Sequence, residues 1–155
     1  MLRRHVKPYL SLTLILLALA GPAVADEVFE CVRVVDGDTI VVKINNRNEK
    51  VRLIGVDTPE TVHPSKPVQY FGKEASEFTR RMVAGKKVRL EYDWQKRDKY
   101  GRLLAYVFLQ DGTFLNAEII KQGYGFAYVR YPFRHMEEFK GYESEARTNR
   151  LGLWK

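Results

Sequence analysis

The sequence predicts an α+β domain in which five short strands form a small barrel and about three helices pack against it. Two observations support this prediction. Runs rich in β-branched residues recur between short polar turns, and helical spacing of apolar residues appears only after the third run and again towards the C-terminus. With 155 residues, the chain has the length of one domain with a sizeable core. Its charged fraction of 29% is ordinary for a globular protein and does not indicate disorder.

Residues 1–25 are expected to be a signal peptide that is removed and takes no part in the fold. Three basic residues precede an uncharged apolar run, and Ala23-Val24-Ala25 has the small residues that a signal peptidase accepts. An uncleaved anchor is the alternative, because the uncharged run reaches Ala25; it is short for a spanning helix, which needs about 20 apolar residues. The mature domain would comprise residues 26–155, and the protein would be secreted or periplasmic.

Removal of that segment changes the charge of the chain. The whole sequence has 26 Lys and Arg against 19 Asp and Glu, a net charge of +7. Three of these bases and none of the acids lie in residues 1–25, which leaves 23 against 19, or +4. A mildly basic domain suits a polyanionic partner without requiring one. Cys31 is the single cysteine, so no disulfide can form within the chain. We expect Cys31 to be a small structural residue of the first strand.

The first three strands are expected to form a meander. Asp36-Gly37 is a turn signal, and residues 45–48, three asparagines and an arginine, form a second one. In the middle strand, Ile40, Val42 and Ile44 share one face. The expected strands are Val28 to Val35, Thr39 to Ile44 and Glu49 to Val56.

The rest of the chain is expected to supply three helices and two more strands. The segment from Asp57 to Gln69 contains three prolines and is predicted to be a loop. Apolar residues then recur at steps of 4, 3 and 4 from Phe71 to Met82, before Gly85, which indicates a helix. The remaining predicted elements are strands over 87–94 and 102–109, a short helix over 115–122, and a last helix with Phe139, Tyr142 and Ala146 on one face.

Five short strands with a helix after the third are typical of the oligonucleotide/oligosaccharide-binding fold, the OB-fold, a small and partly open β-barrel.

Carboxylates collect where two of the predicted strands end. Asp36 and Asp38 lie at the first turn, Asp57 and Glu60 follow the third strand, and Arg52 lies within that strand. Acids beside an arginine suit a site that holds a hard cation and a phosphate together. Arg52 and Asp57 are five residues apart and would face opposite sides of a flat strand. The strand must therefore twist or bulge between them, and Gly55 is the natural place.

The chain resembles the staphylococcal nuclease (thermonuclease) family. The resemblance rests on six motifs in the family's order: Val-Val-Asp-Gly-Asp-Thr, Arg-Leu-Ile-Gly-Val-Asp-Thr-Pro-Glu-Thr, Phe-Gly-Lys-Glu-Ala, Asp-Lys-Tyr-Gly-Arg-Leu-Leu-Ala-Tyr, Gln-Gly-Tyr-Gly-Phe-Ala-Tyr-Val and Leu-Gly-Leu-Trp. They fall between about Val32 and Trp154. The resemblance implies the same barrel and a secreted or periplasmic Ca²⁺-dependent enzyme that cleaves DNA and RNA to products ending in 3′-phosphates. It implies nucleic acid as the substrate, no stable protein partner and a monomer.

The resemblance also implies roles for individual residues. The carboxylates of Asp38 and Asp57 and the backbone carbonyl of Thr58 would bind Ca²⁺. Glu60 would activate or position the attacking water. Arg52 and Arg102 would bind the reacting phosphate, and Lys99, Tyr100 and Tyr128 would contact the rest of the substrate.

One departure concerns the nucleotide pocket. The family's reference motif has a second tyrosine two residues after the position of Tyr128, whereas this chain has Arg130 there, followed by Tyr131. The stretch from Gly123 to Tyr128 is also one residue shorter than in that reference. The resemblance therefore carries over the chemical core but not the mode of base stacking.

Other interpretations of these residues are structural. Asp36 is expected to be a turn residue that supports the site without binding metal. Taken singly, Asp38 would be a turn residue, Arg52 an exposed strand residue, and Arg102 and Lys99 members of a solvated loop. Tyr92, Trp94, Tyr106 and Phe108 are expected in the core or on the barrel surface.

Two other functional classes remain open from the residues alone. A non-catalytic OB-fold barrel that binds single-stranded nucleic acid is the main alternative. Such a protein does not need three acids near the phosphate, because without a metal they repel it. A structural envelope or adhesion module is the other, and it would show no dependence on metal.

Overall fold

The computed structural model describes residues 27–61 and 67–155, and within them the elements follow the predicted order. The predicted signal peptide lies outside the described residues. The strands are β1 (Val28–Asp36), β2 (Thr39–Ile44), β3 (Arg47–Leu53), β4 (Val56–Asp57), β5 (Lys87–Glu91), β6 (Leu103–Leu109) and β7 (Phe126–Ala127). The helices are α1 (Gly72–Val83), α2 (Leu115–Lys121) and α3 (Met136–Thr148), followed by a 3₁₀ helix, Gly152–Trp154.

Five of the strands close into a barrel in the order β1-β2-β3-β6-β5. All neighbours are antiparallel except β3 and β6, which are parallel. The five-stranded barrel with three helices is thus confirmed. It is closed where the sequence suggested a partly open one, because residues 28–30 of β1 pair with residues 87–89 of β5.

The barrel interior is filled by branched apolar side chains. Alternation along β2 and β3 turns Ile40, Val42, Val51 and Leu53 inwards, and each has 1% or less of its surface exposed. Phe139 of α3, fully buried, belongs to the same cluster. Cys31 lies in β1, as predicted, and is also fully buried. No helix in the described ranges is long and apolar enough to cross a membrane.

The chain turns sharply between β3 and β4, at the glycine that the sequence indicated. β3 ends at Leu53 rather than Val56, and Gly55 adopts φ +72°. A Cβ atom on Gly55 would lie 2.5 Å from the ring of Phe133, so both the conformation and the contact require glycine. After the turn, β4 pairs with β7 in a small second sheet that the sequence did not predict.

A buried amide fixes this turn to the helical layer. Asn116 of α2 has no exposed surface. Its Oδ1 accepts the N–H of Val107 at 2.9 Å, and its Nδ2 donates to the carbonyls of Ile54 at 2.9 Å and Ala105 at 3.3 Å. One side chain thereby joins α2, β6 and the turn after β3.

Replacing that amide should be costly. Asn116→Ala should lower the free energy of unfolding by about 2–4 kcal/mol, because the Val107 N–H and the Ile54 carbonyl lose buried partners. Urea denaturation measures the change. Asn149→Ala, at an exposed position beyond α3, is the control and should change stability by less than about 0.5 kcal/mol. Equal stabilities for the two variants would show that the amide does not hold the turn.

Candidate active site

Two turns meet to bring the acids together. The β1–β2 turn carries Asp36 and Asp38, and β4 carries Asp57. Gly37 allows their approach, because a Cβ atom there would lie 2.7 Å from Oγ1 of Thr58. The hydroxyl of Thr79 in α1 donates to the carbonyl of Gly37 at 2.6 Å and fixes the first turn from behind.

Asp38 is the buried centre of this cluster, with 6% of its surface exposed. Its Oδ2 accepts the backbone N–H of Thr58 at 2.9 Å and the Thr58 hydroxyl at 3.1 Å. Its Oδ1 accepts the hydroxyl of Thr39 at 2.9 Å. The carboxylate therefore joins the two turns and is held in one orientation.

Arg52 lies between the two predicted metal carboxylates. Its Nη2 is 3.2 Å from Oδ2 of Asp38 and 3.2 Å from Oδ1 of Asp57. Its Nη1 donates to the carbonyls of Leu53 at 3.0 Å and Val56 at 2.5 Å. The turn at Gly55 thus brings Arg52 and Asp57 to one side, as the sequence required. The guanidinium is fixed by four acceptors, and its side chain is 15% exposed.

The acids carry more negative charge than Arg52 balances. Burial, and then the Asp38 carboxylate, raise the pKa of Asp57, which Arg52 only partly offsets. The pKa of Asp36 rises to about 7, again through burial and the neighbouring Asp38. Added positive charge here would favour the ionised carboxylates.

The donors of this cluster fit a hard cation. Asp38, Asp57 and the Thr58 carbonyl offer only oxygen, which Ca²⁺ prefers. Residues 27–61 and 67–155 contain no group of three or more His, Cys, Asp or Glu placed to hold a metal by themselves. Two carboxylates and a carbonyl form a smaller set, one that leaves coordination positions for water and substrate.

Glu60 lies at the start of the loop after β4. Its N–H donates to Oε1 of Gln69 at 2.8 Å, and its carbonyl accepts the Gln69 N–H at 3.0 Å. Its Oε1 accepts the N–H of Thr61 at 3.0 Å. The Glu60 charge makes the smallest contribution to the raised pKa of Asp57, so Glu60 lies within electrostatic range of that carboxylate.

A groove of about 550 Å³ extends from the cluster. It meets the cluster at Arg52 and Asp57, while Asp38, Thr58 and Glu60 lie outside its lining. Four other residues predicted from the resemblance line it: Lys99, Tyr100, Arg102 and Tyr128. The structure therefore brings six of the nine predicted site residues to one groove. Asp38 contacts the groove residue Arg52, Thr58 contacts Asp38, and Glu60 lies outside the lining, two residues after Thr58 in the chain.

Arg102 reaches this groove through a partner that the sequence analysis missed. Its Nε donates to Oδ2 of Asp98 at 2.7 Å, and its backbone N–H donates to Oδ1 of the same residue at 2.9 Å. Asp98 also accepts the N–H of Tyr100 at 2.9 Å and so shapes the loop. The spacing of four residues between Asp98 and Arg102 was the available signal.

Three more residues of the groove are not among the nine predicted ones. The sequence had already indicated Arg130 and Tyr131 at the nucleotide pocket, but it did not indicate Trp94 there. Trp94, expected in the core or on the barrel surface, lines the groove with 68% of its surface exposed, because β5 ends at Glu91 and Trp94 lies in the following loop. Tyr131 is 58% exposed on the groove wall. Arg130 also lines the groove, and its guanidinium carbon is 5.8 Å from the centre of the Tyr131 ring.

Comparisons with known proteins find related sequences. The family model described as staphylococcal nuclease homologue matches residues 50–155. A thermonuclease of Staphylococcus hyicus is 43% identical over 130 residues, which cover 83% of this chain and 76% of the relative. A thermonuclease of Staphylococcus intermedius is 47% identical over 126 residues, covering 79% and 73%. The endonuclease YncB of Bacillus subtilis is 42% identical over 125 residues, covering 79% and 59%.

Proposed function

The chain belongs to the staphylococcal nuclease family, and from this premise we propose that it is a Ca²⁺-dependent endonuclease that cleaves DNA and RNA to 3′-phosphate ends. One observation supports this proposal most strongly. The Arg52 guanidinium bridges Asp38 and Asp57, and Arg52 and Asp57 line a groove that also carries basic and aromatic side chains. Carboxylates, a fixed cation and a polyanion-binding groove are the parts that hydrolysis of a phosphodiester needs.

We propose that Arg52 and Arg102 bind the scissile phosphate. Attack on phosphorus loads negative charge onto the phosphate oxygens, and fixed positive charge lowers the barrier because it needs no reorganisation. Arg52 already has its plane set by the carbonyls of Leu53 and Val56. Arg102 is held by Asp98, so both guanidinium groups are oriented before the substrate arrives.

Glu60 accepts the proton of the attacking water in this proposal. The water oxygen bonds to phosphorus and the bond from phosphorus to the 5′-oxygen breaks. The 3′-phosphate remains on the upstream product, and the 5′-oxygen takes a proton from solvent and leaves as the hydroxyl of the downstream product. Asp38, Asp57 and the Thr58 carbonyl would hold Ca²⁺, whose charge would offset the negative charge on the phosphate. Lys99, Tyr100 and Tyr128 contact the substrate along the groove.

The non-catalytic alternative is less compatible with the acids. A pure binding protein would gain nothing from Asp38 and Asp57 beside the phosphate, since both repel it. Supercoiled plasmid incubated with the mature protein and Ca²⁺, or with chelator, separates the classes. We expect nicking and degradation with Ca²⁺, none with chelator, and much slower cleavage with Mg²⁺, which demands a tighter octahedron. Equal rates with both ions would exclude the Ca²⁺ assignment, and a shifted but intact plasmid would indicate binding only.

The ends of the products test the chemistry directly. A 3′-phosphate blocks extension by a DNA polymerase until a phosphatase removes it. Products extended only after phosphatase treatment would support the proposed bond cleavage. Products extended at once would show that the other ester bond breaks.

We also propose that residues 1–25 direct export and are removed, so that the mature domain is 26–155. The small residues at Ala23-Val24-Ala25 support this. The intact mass of the exported protein tests it, and a membrane-bound species that keeps residues 1–25 would contradict it.

Arg130 should make substrate binding depend on salt. Arg130→Tyr should reduce the slope of log affinity against log salt by about 0.7, the loss of one phosphate contact on a single strand. Affinity titrations of a single-stranded oligonucleotide at several salt concentrations, with chelator present, measure the slope. The control is Arg33→Tyr, which removes the same charge from an exposed position on β1 outside the groove. Equal slopes for the two variants would show that Arg130 does not contact the substrate.

A further inference from the structure

Trp94 is a large ring that the protein leaves open to solvent yet holds in place. It is 68% exposed, but its Nε1 donates to the carbonyl of Pro132 at 3.0 Å across the groove. A large apolar ring that is exposed in a groove often marks a binding surface. A ring that is already held loses little further conformational freedom when a ligand binds.

The segment that carries Trp94 is also tied to the core. The backbone N–H of Trp94 donates to Oδ1 of Asp93 at 2.8 Å. Oδ2 of Asp93 accepts the hydroxyl of the fully buried Tyr106 at 2.5 Å and the N–H of Arg134 at 2.9 Å. Asp93 therefore connects Trp94 to a buried side chain of β6 and to the segment that carries Tyr131 and Pro132.

The surroundings of Trp94 combine aromatic faces with positive charge. Tyr131 and Tyr100 line the same groove and are 58% and 72% exposed. Arg130 lies beside the Tyr131 ring, and Nζ of Lys99 is 5.0 Å from the centre of the Tyr100 ring. Neither cation forms an ion pair within the described residues. Exposed rings can stack on bases, and the cations beside them can bind the phosphates of the same nucleic-acid strand.

We propose that Trp94 and Tyr131 form an outer stacking subsite for an unpaired base of single-stranded nucleic acid, with Arg130 binding an adjacent phosphate. The inference deepens the proposed nuclease function and rests on it for the identity of the ligand. A ring can stack only on a base whose face is open, and pairing within a duplex closes the faces. The subsite should therefore favour single strands over duplexes of the same length.

Fluorescence can observe this contact without any cleavage. The chain has two tryptophans, so Trp154→Phe leaves Trp94 as the only one. Trp154 lies outside the groove lining, against Phe126 and Arg147. In chelator, a single-stranded oligothymidylate should quench the emission of Trp94, while inorganic phosphate should not and a blunt duplex should do so much less. Absence of quenching at concentrations that saturate binding would overturn the subsite.

Kinetics provide the second readout. Trp94→Ala should raise Kd and KM for a single-stranded oligonucleotide about 5- to 150-fold, the effect expected for losing one stacked base. It should change kcat at saturation far less, because an indole ring supplies neither charge nor a transferable proton to the reacting phosphate. Trp94→Phe should recover much of the affinity, whereas Trp154→Phe should behave as wild type. Unchanged single-strand affinity in Trp94→Ala would reject the proposal.

The two proposals fail in different ways. If plasmid stays intact with Ca²⁺ but the oligonucleotide still quenches Trp94, the nuclease proposal fails and the stacking subsite stands. If plasmid is cleaved but quenching is absent and Trp94→Ala binds normally, the stacking subsite fails and the nuclease proposal stands. Equal losses of affinity for single strand and duplex in Trp94→Ala would contradict stacking on an unpaired base.

Discussion

Glu60→Gln should lower kcat on DNA by about 10²- to 10⁴-fold, the usual contribution of a positioned acid or base. The amide keeps the shape of the side chain and can still accept the N–H of Thr61, but it cannot take a proton from water. Affinity for DNA, measured in chelator, and unfolding in urea should stay close to wild type, because neither depends on proton transfer.

Glu145→Gln is the matched control, since it removes one carboxylate from an exposed position of α3. It should cleave as wild type does. Near-normal turnover in Glu60→Gln would remove Glu60 from the mechanism and require another base. A higher KM with an unchanged kcat would give Glu60 a role in substrate binding only.

Arg52→Lys should also lower kcat strongly, by about 10²- to 10³-fold, the loss seen when one preorganised donor to a developing oxyanion is removed. Lysine keeps the positive charge between Asp38 and Asp57 but cannot reach four acceptors with fixed planar geometry. Single-turnover and steady-state rates, together with DNA affinity in chelator, separate a loss of catalysis from a loss of binding.

Arg33→Lys, on the exposed surface of β1, serves as the control for this exchange and should leave the rate unchanged. Combining Arg52→Lys with Glu60→Gln should cost less than the product of the single losses, because both residues act on one phosphate and its water. Full additivity, or a normal rate in Arg52→Lys, would place the two residues in separate sites or outside the reaction.

The barrel was predictable because its strands have clear local signals. Alternation in β2 and the turn at Asp36-Gly37 predicted the meander, in which β1 pairs with β2 and β2 with β3. The pairing of β4 with β7 was not predictable, because two-residue strands have no periodicity and Asp57 and Phe126 are brought together only by the finished fold. The closure of the barrel depends on a long-range pairing of the same kind.

In the candidate site, too, some features were predictable from local sequence and others depended on the finished fold. The acid cluster was predictable from motifs and from the geometric need for a turn at Gly55. The Asp98–Arg102 pair and the exposure of Trp94 were missed, since each depends on where a loop runs. Trp94 is apolar and is the last residue of the strand predicted over 87–94, so local sequence favours a packed residue. In the structure, the Pro132 carbonyl holds its ring at the groove and Asp93 holds its backbone.

The burial of Cys31 bears on how the chain withstands a change of redox environment. Burial, together with the nearby Glu30 charge and despite a weak contact with the Arg33 carbonyl, raises the pKa of the thiol to about 11. Thiolate, the species that oxidants and disulfides attack, is then almost absent at neutral pH, and no reagent reaches the sulfur without opening the barrel. The folded domain should therefore keep a free thiol in a reducing or an oxidising medium alike, and it can be purified without a reductant.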